Sequence, residues 1–176
     1  MRPWAEEAYK YNNLPAERYG RQELDPSRNC YPPGPPRMFY IPYPFEIIQL
    51  PGRVLMLFEW DHWVRQIWTD GRGHATGYSP TWMGDSIGRW DGDTLVADTV
   101  GLNSKTWLTE AGHVHTEALR ITERFRRVDH ETLEIRFTFD DPKAYTRPWE
   151  GEKRFELQPG LSIMEDVVCE DKLLQE

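Results

Sequence analysis

From residue 45 onward, apolar and polar positions tend to alternate in short runs bounded by turn residues, the pattern of half-buried strands. It predicts strands over 45–50 and 53–59 around Pro51-Gly52, and over 63–69 after Asp61-His62. Strands over 86–90 and 93–99 flank Asp91-Gly92, where a type I′ turn would need positive φ at both central positions. A long hairpin over 119–128 and 132–140 turns at Asp129-His130-Glu131. A last pair, 152–157 and 162–168, flanks Pro159-Gly160. About nine strands with short connections read as antiparallel, and the fold class predicted is all-β: a lipocalin-like antiparallel barrel.

Ahead of the strands, residues 3–12 read as a short helix. Pro3 opens it, Glu6 and Glu7 fill its first turn, and Asn12-Asn13 can end it. Trp4, Ala8 and Tyr11 form the stripe expected to pack on the body. Residues 25–44 hold seven prolines, a density that resists both helix and ladder, so they read as an extended strap. The expected organisation is a helix and strap over 1–44 packed on a barrel over 45–176. Residues 70–85 and 100–118 break the strand rhythm, and long loops in a compact domain tend to carry function.

Strand alternation assigns faces. Leu119, Ile121, Glu123 and Phe125 share one face, and Leu133, Ile135, Phe137 and Phe139 share another, so Glu123 points inward among apolar neighbours. A buried carboxylate is costly unless paired or protonated. The run 53–59 is apolar on both faces and ends at Glu59, which the hairpin brings towards Arg65 as an expected inward ion pair. Asp98 shares a row with Val96 and Thr94 and completes an expected interior polar set of Glu59, Arg65, Asp98 and Glu123. This set reads either as a structural ion-pair network or as a pocket with a general acid or base tuned by burial.

The histidines form a second constellation. His113 and His115 point the same way in extended chain, and with His74 or Asp85 they would form an incomplete metal set, so no metal is assigned. His115 beside Glu117 or Asp98 is the first choice as an acid–base residue. Trp68, Trp90 and Trp107 belong to a tryptophan-rich half of the chain; most of its tryptophans read as core packing, and two or three lining a pocket would suit an aromatic, terpenoid or sugar ligand. Gly84-Asp85-Ser86-Ile87-Gly88 is not a nucleophile elbow, and no phosphate loop or dinucleotide fingerprint is present.

Composition narrows the classes. The chain has 176 residues, 39% hydrophobic and 13% aromatic, which suits one folded domain. Its formal net charge of -8 disfavours a nucleic-acid partner. No apolar run is long enough to span a membrane as a helix. Cys30 and Cys169 are either two buried thiols or a disulfide between the strap and the last strand, the second requiring an oxidising compartment. Met1-Arg2-Pro3-Trp4 is not a signal peptide, so the chain is expected either to be cytosolic or to begin after a removed leader.

Several stretches resemble a widespread family of small exported bacterial proteins with no assigned reaction. They are Cys30-Tyr31-Pro32-Pro33-Gly34-Pro35-Pro36-Arg37, Thr69-Asp70-Gly71-Arg72, 86–96, Glu123-Arg124-Phe125, 141–149 and Cys169-Glu170. The resemblance implies a periplasmic or secreted protein with its leader removed and a Cys30–Cys169 disulfide. The family usually has Gly-Arg-x-His-Pro where this chain has Gly71-Arg72-Gly73-His74-Ala75, and often His or Tyr in place of Asp85, departures that point to a different ligand or a different activity.

The function expected is a cofactor-independent acid–base enzyme of lyase, dehydratase or isomerase type. It would act on a hydrophobic or aromatic small molecule in the barrel. His115, Glu123 and Asp98 would exchange protons, and Tyr145 would donate to a developing oxyanion. Arg65 or Arg89 would hold an anion, with Glu59, His74, Trp68, Trp90 and Trp107 shaping the substrate site. The alternative is a lipocalin-like carrier of an apolar ligand, and a third reading is a structural protein with a filled barrel. An open sheet edge would also allow a homodimer.

Overall fold

The computed structural model describes residues 1–13, 22–166 and 169. One helix, α1 (Pro3–Asn12), precedes eight strands: β1 (Phe45–Leu50), β2 (Arg53–Phe58), β3 (Val64–Trp68), β4 (Asp85–Asp91), β5 (Thr94–Val100), β6 (Arg120–Arg127), β7 (Thr132–Asp140) and β8 (Trp149–Glu156). They form a single sheet in sequential order, curled into a half-barrel with β1 and β8 as its edges. Phe45 of β1 and Phe155 of β8 meet edge to face at 4.9 Å, so side chains bridge the seam that the backbone leaves open.

Three features differ from the sequence expectation. The ninth strand, over 162–168, is absent from 162–166, and 167 and 168 lie outside the described residues. The β3–β4 pair is parallel and rests on one register pair, Trp68 with Ile87. The long 69–84 crossover carries the chain back so that β4 runs in the same direction as β3, and the meander is interrupted there. The β4–β5 turn is Gly92-Asp93, one residue later than expected, because Asp91 already pairs with Thr94. Only Gly92 of the two has positive φ (+61°), the type II′ pattern rather than I′.

Helix α1 occupies its expected span but presents a different face. Ala5 is buried, whereas Trp4 and Tyr11 are 45% and 49% exposed. Polar ties rather than the aromatic stripe dock it: the Trp4 indole donates to Lys143 O at 2.8 Å, and Asn12 Nδ2 donates to Gly112 O at 3.0 Å. A side chain at Gly112 would place its Cβ 2.4 Å from that of Asn12, so the approach depends on glycine.

The strap contains two short 3₁₀ turns, Pro26–Asn29 and Arg37–Tyr40, rather than extended chain alone. The second drives Phe39, 1% exposed, into the inner face of the sheet. Its ring lies 5.5–6.1 Å from those of Phe45, Phe58, Phe125, Phe137 and Phe155. Asp25 accepts from buried Arg37 at 2.9 Å and ties the two 3₁₀ turns of the strap together. Cys30 and Cys169 form a disulfide spanning 139 residues, with 5.5 Å between Cα atoms. In the chain-entropy model a loop that long contributes about 4–5 kcal/mol.

Candidate functional site

The inner face is packed rather than hollow where Phe39 enters it. Beside that ring, Arg65 of β3 and Glu123 of β6 form a two-pronged ion pair, 1% and 0% exposed. Arg65 Nη1 donates to Glu123 Oε1 at 2.8 Å and Nη2 to Oε2. Nη2 also donates to Thr99 Oγ1 (3.0 Å) and Ser86 Oγ (3.3 Å), and the two hydroxyls share a hydrogen bond of 2.8 Å. Alternation therefore placed Glu123 correctly, but two members of the expected interior set lie elsewhere. Glu59 is not the partner of Arg65; past the end of β2, it accepts from Met164 N at 2.9 Å. Asp98 faces the opposite side of the sheet from its neighbour Thr99, which touches Arg65.

On that outer face a second polar array assembles. Asp85 opens β4, Asp98 lies two residues from the end of β5, and Arg120 opens β6. Ile87 pairs with Asp98 and Asp98 with Thr122, so Asp85 and Arg120, each two residues away, share its side. His74, from the 69–84 crossover, closes the gap. Its Nδ1 lies 2.7 Å from Asp85 Oδ2 and its Nε2 3.1 Å from Asp98 Oδ2. Arg120 grips Asp98 through Nε at 2.7 Å and through Nη2. Asp85 Oδ2 also accepts from Ala75 N at 3.1 Å, fixing the loop beside the ring.

A carboxylate accepts only from a protonated ring nitrogen, so both contacts are complete when His74 carries two protons. Burial works to raise the Asp98 carboxyl, but Arg120 and His74 outweigh it and hold it below the ordinary aspartate value. The three side chains remain 21%, 17% and 16% exposed for His74, Asp85 and Asp98, so the array is in contact with solvent. Trp68, the register partner of Ile87, lies on the same face under Arg72, whose guanidinium carbon is 3.5 Å from the ring centroid. Arg72 in turn forks onto Asp70, Nε donating to Oδ1 at 2.9 Å and Nη2 to Oδ2 at 2.5 Å. Arg89 is exposed on this face of β4, opposite Val96.

The remaining expected site residues lie apart from this array. His115 is 3% exposed with both nitrogens engaged: Thr106 Oγ1 is 2.7 Å from Nε2, and Nδ1 donates to Thr116 O at 3.0 Å. Burial pushes its pKa down, favouring the neutral ring. The buried Tyr145 hydroxyl donates to Val114 O at 2.8 Å, and burial raises its pKa. Trp107 is buried, and Trp90 is 47% exposed. His74, Asp98, Trp68 and Arg89 are thus brought to one face, and Arg65 with Glu123 to the other. From the sequence, Asp85 reads as a candidate metal ligand and as a departure from the family pattern, and Arg120 has no role. Counting Asp98 on the same side as Thr122 would have found both.

No protein-family model, curated protein or solved structure matches the chain.

Proposed function

We propose that the protein is an acid–base enzyme whose proton-transfer site is the outer-face array of His74, Asp85, Asp98 and Arg120. The observation that supports this best is the imidazole held between two carboxylates at 2.7 and 3.1 Å and still reachable from solvent. Asp85 orients the ring through Nδ1, leaving Nε2 as the atom that exchanges a proton with a substrate displacing Asp98. Arg120 keeps Asp98 ionised, so the displaced carboxylate stays anchored and accepts the Nε2–H hydrogen bond again once the substrate leaves. Trp68 offers an apolar surface beside the array and Arg89 a cation on the same face. The substrate class is accordingly a small apolar or aromatic acid, and the reaction a lyase, dehydratase or isomerase step. Such proton transfers need no organic cofactor.

The disulfide and the likeness to exported bacterial proteins together support a periplasmic or secreted setting. The function is tested by incubating the protein in D₂O with a panel of aryl-substituted 2-oxo and 3-hydroxy acids. Proton NMR then follows exchange at the carbon next to the carboxylate or carbonyl. The wild type is expected to exchange at least one panel member and H74Q to lose at least about 100-fold of that rate. Equal exchange by both proteins, or none across the panel, overturns the reading.

A further inference from the structure

Where β8 begins, a cavity of about 230 Å³ opens between Met1, His113, Tyr145, Thr146, Arg147 and Trp149. It shares no residue with the His74 array. Its walls are aromatic: the Tyr145 and Trp149 rings lie 5.6 Å apart and tilted by 56°. His113 is held between Tyr9 at 4.4 Å and Trp149 at 6.0 Å. Thr109 Oγ1 accepts from Ala111 N at 3.3 Å and lies 2.6 Å from His113 Nδ1. With the threonine hydroxyl donating to Nδ1, the ring proton of the neutral imidazole sits on Nε2. Burial lowers the His113 pKa and favours that neutral form. Nε2–H has no hydrogen-bond partner among the described residues.

Arg147 supplies the charge. In a chain with 29 acidic and 21 basic residues, its exposed guanidinium has no carboxylate partner among the described residues. Arg120, Arg124, Arg126, Arg136 and Arg154 on the neighbouring strands are all paired. The Tyr145 hydroxyl is committed to Val114 O, so its ring serves as a wall. The cavity therefore offers two aromatic surfaces, one imidazole N–H and one forked cation. That set suits a flat ring bearing a carboxylate better than a phosphate, which calls for more donors.

We propose that this cavity is a second binding site, taking a small aromatic carboxylate with its anionic group between Arg147 and His113 and its ring against Trp149 and Tyr145. The test is calorimetric titration of the full chain with benzoate, using benzamide as the neutral isostere. Benzoate is expected to bind and benzamide to bind at least about tenfold more weakly. R147Q, at an exposed position that leaves the packing intact, is expected to weaken benzoate by about tenfold, and R147K by less because it keeps charge but not the fork. A thermal melt of each variant confirms folding. No heat with benzoate, equal affinity for benzamide, or an unchanged benzoate affinity in R147Q overturns the proposal.

Discussion

Arg65 and Glu123 are an ion pair buried in the core, and disturbing one member is costly. Glu123 has its charge answered by two guanidinium nitrogens, while Arg65 Nε has no hydrogen-bond partner among the described residues. Removing one member leaves the other as an uncompensated buried charge. R65M is therefore expected to destabilise the fold by about 3–5 kcal/mol, measured by urea unfolding. The double variant R65M/E123L should recover most of that loss, because replacing both partners by apolar groups removes the stranded charge. A double variant as unstable as R65M would show that the pair acts through packing alone. Ser86 and Thr99 join the same network from β4 and β5, so one guanidinium ties four strands.

The strands show which parts of the pattern carry information. β6 is buried at Ile121, Glu123 and Phe125 and open at Arg120, Arg124 and Arg126, so its two rows read correctly from the sequence. β5 is buried at Thr94, Leu95, Val96, Ala97 and Thr99, on both faces. Apolar content there cannot tell inside from outside, and Asp98 was assigned inward because Val96 shares its row. The parallel β3–β4 pair is hidden for another reason: no hydrophobic periodicity in the 69–84 loop tells which way the chain returns to the sheet. That return depends on Gly84, which has φ +67° and whose Cβ, if present, would lie 2.6 Å from Val100 O. The obstacle is backbone and cannot swing aside. G84A is expected to lower stability by about 1–3 kcal/mol in thermal unfolding. Because Asp85 follows directly, the variant should also disturb the His74 array, seen as shifted His74 ring resonances. An unchanged melting temperature would contradict this placement of the loop.

Across the whole molecule, the barrel class and the helix were legible because they rest on local periodicity and on turn residues such as Pro51-Gly52. The filling of the barrel was not, since Phe39 lies in a proline-rich segment with no strand pattern and reaches the inner face only through tertiary packing. The same strap joins the two halves of the sheet, because Phe39 contacts Phe58 of β2 as well as Phe125 and Phe137 of β6 and β7. The Cys30–Cys169 bond encloses every strand in one covalent ring. Within that ring the 69–84 crossover is largely exposed, a natural place for a protease to cut. A single cut there divides the chain between β3 and β4, yet each fragment keeps one of the two cysteines. The nicked protein should travel as one species on a non-reducing gel and as two after reduction, remaining a two-chain molecule for as long as its surroundings stay oxidising.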